Sequence, residues 1–99
     1  MEKLIENYLP NYSSEVLKFK VNGEERRFKV TSKNYNSGYE FCIFIQTKNG
    51  DYGQLANAYD IPNLKYIHYY WNDDERIQIA KKNFMLAENY IKKVYADKK

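Results

Sequence analysis

Alternation of apolar and polar residues dominates the first half of the chain. In residues 15–21, Leu17, Phe19 and Val21 fall on one side and Val16, Lys18 and Lys20 on the other, the two-residue period of a half-buried strand. Asn22-Gly23 follows, a dipeptide that accepts the positive φ values of a type I′ turn. Residues 26–31 return with Phe28 and Val30 on the apolar side. A two-residue loop pairs Leu17 with Phe28 and a four-residue loop pairs Phe19 with Phe28; either register leaves the same side chains on the same faces. The polar residues 32–38 read as a loop. In residues 39–47, Tyr39, Phe41, Ile43 and Ile45 form one face, with Cys42 and Phe44 on the other. Apolar residues on both faces predict an interior strand. Asn49-Gly50 predicts a second hairpin into a short strand at 51–56, with Lys48 and Asp51 flanking the turn as a cross-strand pair.

The period then changes. In residues 73–96, Ile77, Ala80, Phe84, Ala87, Ile91 and Val94 recur at three- and four-residue spacing, the apolar stripe of an amphipathic helix. Asn72 and Glu75 have the spacing of a capping box. Asp73, Asp74 and Glu75 in the first turn and Lys92 and Lys93 near the end suit the helix dipole. Residues 2–9, with Leu4, Ile5, Tyr8 and Leu9 on one side, read as a short helix stopped by Pro10. Residues 57–71 admit two forms. Lys65 to Trp71 has the aromatic and β-branched content of a strand, and a helix would gather Leu64, Ile67, His68 and Trp71 on one face. The expected architecture for residues 1–99 is one α+β domain: an antiparallel four- to five-stranded sheet built on two Asn-Gly hairpins. The long C-terminal helix packs on one face and the short N-terminal helix closes an edge.

Composition narrows the class without choosing a function. Hydrophobic content of 43% beside 29% charged residues is that of a globular domain rather than a disordered one. No apolar run approaches the ~20 residues of a membrane span, and the N-terminus, Met1 to Asn7, has neither the basic start nor the apolar stretch of a signal peptide. These features point to a cytoplasmic protein without a membrane partner. Cys42, the sole cysteine, cannot form an internal disulfide. A net charge of +3 argues against an acidic mimic of DNA and is compatible with nucleic-acid binding. The eleven tyrosines suit an interface or a base-stacking surface. They equally suit the AT-rich codons of a low-GC bacterium or its phage.

Two surfaces are candidates for binding. Opposite the apolar face of the first hairpin lie Lys18, Lys20, Arg27 and Lys29, with Glu25 the nearby acid. Like charges facing one another across a sheet are unfavourable, and a phosphate backbone would compensate them. A solvated face that protects an edge from aggregation explains them as well. The second surface is aromatic: Tyr35 in a loop, and the tract Tyr66, Tyr69, Tyr70. In that tract a strand would place Tyr66, His68 and Tyr70 on one face and Tyr69 and Trp71 on the other. The lysines of the long helix, Lys81, Lys82, Lys92 and Lys93, read as a solvated face.

Enzyme chemistry finds no kit. One histidine and one cysteine cannot build a zinc site, the four glycines lie in turn contexts, and Cys42 sits mid-strand, where thiols are inert. Gln46-Thr47-Lys48 resembles the Gln-x-Lys variant of the PD-(D/E)xK nuclease core, but the acid that family places on the preceding strand is missing, since no Asp occurs before Asp51. The order helix, three strands, helix is similar to that of double-stranded-RNA-binding domains in order alone. Asp73-Asp74-Glu75 stands where that family carries a basic cluster. The sequence therefore leads to a small non-enzymatic binding module without metal or cofactor. It contacts nucleic acid through Lys18, Lys20, Arg27 and Lys29. Alternatively it is a protein-binding inhibitor or adaptor of phage or mobile-element type, an anti-defence protein for example, acting through Tyr35, Tyr66, Tyr69 and Tyr70. A homodimer through an exposed strand edge is compatible with either.

Overall fold

A computed structural model of the chain describes the backbone of residues 3–8 together with residues 11–35, 38–67 and 72–96. The fold is α+β. The sheet is an antiparallel meander of β1 (Lys3–Tyr8), β2 (Tyr12–Val21), β3 (Glu24–Tyr35), β4 (Gly38–Gln46) and β5 (Tyr52–Asn57), with neighbours in space following the order in sequence. A 3₁₀ turn at Ala58–Asp60 follows β5, and the helix α1 spans Asp73–Val94. β4 is an interior strand, as its two apolar faces require.

The first hairpin resolves to the shorter register. Leu17 pairs with Phe28 and Val21 with Glu24, leaving Asn22 (φ 53) and Gly23 (φ 81) as the two central residues of a type I′ turn. The second Asn-Gly behaves differently. The Thr47 amide donates to the Asp51 carbonyl at 2.7 Å and the Gly50 amide to the Thr47 carbonyl at 3.0 Å, so Lys48, Asn49 and Gly50 form a three-residue loop. Gly50 (φ +91) takes the left-handed position and Asn49 does not, the geometry of a type I turn closed by a G1 bulge. The expected Lys48–Asp51 cross-strand pair is thus corrected: Thr47 faces Asp51 and Lys48 lies in the loop.

Two further expectations are overturned, and one open alternative is narrowed. Residues 3–8 form an edge strand on β2, not a helix, with Leu4 paired to Val16 and Tyr8 to Ser13. An eight-residue helix falls short of the ~12 residues that hold one together in isolation; the open edge of β2 offers that segment a row of backbone partners. Residues 32–35 are not a loop but the end of β3, where Ser32 pairs with Phe41 and Asn34 with Tyr39. Their polar side chains do not prevent backbone pairing, and the Ser32 hydroxyl is satisfied by Tyr39 Oη at 2.6 Å. No strand forms at the start of the 65–71 tract: Lys65 and Tyr66 are irregular and Ile67, 1% exposed, is buried in the core. The rest of that tract, including His68, Tyr69, Tyr70 and Trp71, lies outside the described residues.

The helix packs on the sheet face carrying Leu17, Phe28, Val30, Phe41 and Ile43, all buried. It contributes Ile79, Ala80, Phe84, Ala87 and Ile91, with the Phe84 and Phe41 rings 5.7 Å apart. Two members of the expected stripe are displaced from the centre: Ile79 rather than Ile77 is buried, and Val94 is 50% exposed. The Asn72 side chain caps the helix by accepting from the Glu75 amide at 3.0 Å. Among the described residues no helix is long and apolar enough to cross a membrane.

Candidate nucleic-acid interface

Because α1 occupies one face of the sheet, strand alternation sends every second side chain of β2, β3, β4 and β5 to the other, on which no described helix packs. Cross-strand register orders this outer face into rows. At the hairpin end Lys20 faces Glu25. In the next row Lys18 faces Arg27, and on the far side of β4 Gln46 faces Tyr52. A third row runs Val16, Lys29, Phe44, Gln54, and a fourth Ser14, Thr31, Cys42, Asn57. The last has Lys33 between Tyr12 and Glu40.

The four cations singled out in the sequence therefore share one face, but their surroundings differ. Lys20 has a carboxylate, Glu25, directly across, as does Lys33 of the same face with Glu40. Lys18 and Arg27 are set opposite each other. Lys29 stands between two apolar residues and reaches past β4 to place Nζ 5.7 Å from the centre of the Tyr52 ring, a cation–π contact.

A shallow groove of about 350 Å³ opens at the hairpin end, lined by Lys18, Arg26, Arg27 and Lys48 together with the carboxylates of Glu24 and Glu25. Arg26 is tied down there, its Nη2 donating to the Gln46 carbonyl at 3.0 Å. The Gln46 side chain in turn donates to the Gly50 carbonyl at 3.2 Å. The groove thus gathers cations from both hairpins. Lys48 and the outer-face ring of Tyr52 are the residues sequence reading missed. By alternation Lys48 would pair with Asp51, and Tyr52 follows a turn whose length the sequence does not fix. The apolar outer position of Phe44 was already visible in the alternation of β4.

Of the aromatic candidates, Tyr35 and Tyr66 are described. Tyr35, 52% exposed, ends β3. Tyr66 is half-buried and meets Tyr39 edge-on at 6.0 Å. Tyr69 and Tyr70 lie outside the described residues. Tyr59, 88% exposed, and Tyr12, 40% exposed, are exposed tyrosines that sequence reading did not select.

The remaining polar groups of note serve packing. Asn83, fully buried on α1, donates to Tyr39 Oη at 3.2 Å, and the Tyr39 hydroxyl also meets Ser32. Burial pushes the Tyr39 phenol up to about 12 despite these hydrogen bonds. Cys42 is buried on the outer face. Desolvation raises its thiol, Glu40 adds to the rise and Lys33 opposes it, so the thiol stays protonated at neutral pH. Among the described residues no group of three His, Cys, Asp or Glu side chains converges as a metal site. No family model matches the chain, and no curated protein and no solved structure is significantly similar to it.

Proposed function

We propose that the chain is a small non-enzymatic module that binds nucleic acid on the outer face of its sheet. The observation that carries this reading is the placement of Lys18 directly across from Arg27 beside a groove that also receives Lys48. Lys18, Arg27 and Lys48 line one groove, so a single phosphate backbone laid along it meets all three. In this reading Lys18, Arg27 and Lys48 neutralise phosphates, Lys29 lies further along the same face, and Lys20, facing Glu25, contributes least.

Phosphate contacts release counterions, so affinity falls steeply with salt. The direct test is titration of the protein against labelled DNA and RNA between about 50 and 200 mM salt. Binding that weakens steeply over this range and is abolished by Lys18→Glu with Lys29→Glu supports the reading. Absence of binding at the lower salt, where non-specific affinity is strongest, rejects it.

A second reading rests on Tyr59, Tyr35 and Tyr12, whose rings are the most exposed tyrosines among the described residues. Tyrosine at a protein interface acts as a hot spot, so an inhibitor or adaptor would lose about 2 kcal/mol or more of binding per ring removed, with little salt dependence. Pull-down with wild type and with Tyr59→Ala separates this reading from the first.

A further inference from the structure

We infer that the nucleic acid taken by this face is single-stranded, with bases stacked on Phe44 and Tyr52 and the backbone held by the cations beside them. The inference rests on the nucleic-acid reading above and adds to it the form of the ligand.

Phe44 and Tyr52 lie on the same outer face. Phe44 pairs with Gln54, and Tyr52 with Gln46, so the two rings stand on a cross-strand diagonal, a separation of roughly 7–8 Å that aromatic side chains span. Both are partly exposed, with Gln46 and Gln54 across the ladder from them. Cations border them on the β3 side. Lys29 is the direct neighbour of Phe44, and Arg27 and Lys18 occupy the row of Gln46 and Tyr52.

This arrangement of rings interleaved with cations on an open antiparallel sheet matches the needs of an unpaired strand. Each base presents a π-face to stack, and each phosphate presents a charge to neutralise. A duplex hides its base faces in its own stack and can use only the cations. Phe44 and Tyr52 would then gain nothing from contact.

Lys29 gives the site a built-in exchange. Its ammonium now lies over the Tyr52 ring at 5.7 Å. A base that stacks on Tyr52 takes that position, and the displaced ammonium is left beside the incoming strand, where a phosphate can accept from it. Stacking and charge neutralisation are thereby coupled through one residue. Open sheets that read RNA by stacking accommodate two or three bases on their aromatics, and two rings here set a footprint of that order.

The experiment is fluorescence anisotropy with labelled oligo-dT and oligo-rU of about 20 nucleotides, and with a mixed-sequence DNA duplex of the same length, at low salt. Single strands bind at least about tenfold more tightly than the duplex. Phe44→Leu and Tyr52→Leu, which keep an apolar side chain on the strand but remove the ring, each weaken single-strand binding by about fivefold or more. They leave duplex binding and the salt slope unchanged, and Tyr52→Phe retains single-strand affinity. Circular dichroism of each variant confirms that the sheet is intact. Duplex binding equal to or tighter than single-strand binding, or Leu variants of native affinity, overturns the inference while leaving the nucleic-acid reading standing. Absence of binding to all three probes removes that reading and the inference with it. The dT and rU arms show whether a 2′-hydroxyl contributes.

Discussion

Asn83 closes a two-hydrogen-bond ring with the backbone of Lys65. Its Oδ1 accepts from the Lys65 amide at 3.1 Å and its Nδ2 donates to the Lys65 carbonyl at 2.8 Å. The second Nδ2 hydrogen reaches Tyr39 Oη at 3.2 Å, so one fully buried carboxamide joins α1, the irregular segment after the 3₁₀ turn and β4. Removing it takes the partner from a part-buried amide and carbonyl of Lys65 and from the Tyr39 hydroxyl, the costly case for a hydrogen bond. Asn83→Ala, and equally the near-isosteric Asn83→Leu, lowers unfolding free energy by about 2–4 kcal/mol, read from the urea midpoint. Asn83→Asp is no milder, because its carboxylate would face the Lys65 carbonyl.

The two Asn-Gly dipeptides make opposite predictions at their asparagines. Asn22 is held at φ 53 and Asn49 is not in the left-handed region. A left-handed conformation costs a residue with a Cβ roughly 1–2 kcal/mol, and asparagine bears it best. Asn22→Ala therefore destabilises by about 1 kcal/mol, whereas Asn49→Ala stays within about 0.5 kcal/mol of wild type. Gly50→Ala, at φ +91, behaves like Asn22→Ala. Equal losses at Asn22 and Asn49 in urea denaturation would show that the second turn is also type I′.

The contrast between these turns explains how much of the fold was legible. Strand alternation around Phe28, Ile43 and Ile45 carries its own periodicity, and so do the stripe of α1 and its Asn72 cap; these were readable from the residues. The N-terminal segment was not, because Leu4, Ile5 and Tyr8 fit either period and its state is decided by the free edge of β2. Ser32 and Asn34 read as loop because their burial depends on Tyr39 and on Asn11, whose carbonyl accepts from the Asn34 amide at 2.8 Å. Such partners are distant in sequence and leave no local signal. The outer-face cations were legible through alternation alone. Their union with Lys48 required the three-residue loop.

Charge reversal at Arg27 separates function from stability. The residue faces Lys18 across the β2–β3 ladder, so Arg27→Glu replaces like charges by opposite ones. Stability stays within about 0.5 kcal/mol of wild type. Under the nucleic-acid reading the same variant weakens binding to every sequence and lowers the salt slope by about 1. Thermal denaturation and a salt titration on one preparation test both halves. A loss of binding accompanied by lower stability would trace the effect to misfolding instead.

Tyr39 sets an alkaline limit. Its phenol is raised from 10.0 to about 12 by burial, against the hydrogen bonds to Ser32 and Asn83. A group whose folded value lies above its unfolded one favours the fold while it holds its proton. The contribution is complete below pH 10 and is lost as pH rises through about 12. A shift of this size corresponds to about 2–3 kcal/mol. Tyr39→Phe has no proton to lose but also lacks the hydroxyl that accepts from Asn83, so at pH 8 it is less stable than wild type by about 1–2 kcal/mol. The two stability curves then converge as pH climbs from 10 and cross at about pH 11, where the lost contribution of the buried phenol equals the deficit of the variant. Guanidinium denaturation of both proteins across this range gives the comparison. Parallel curves would mean that the buried hydroxyl of Tyr39 does not control the alkaline transition.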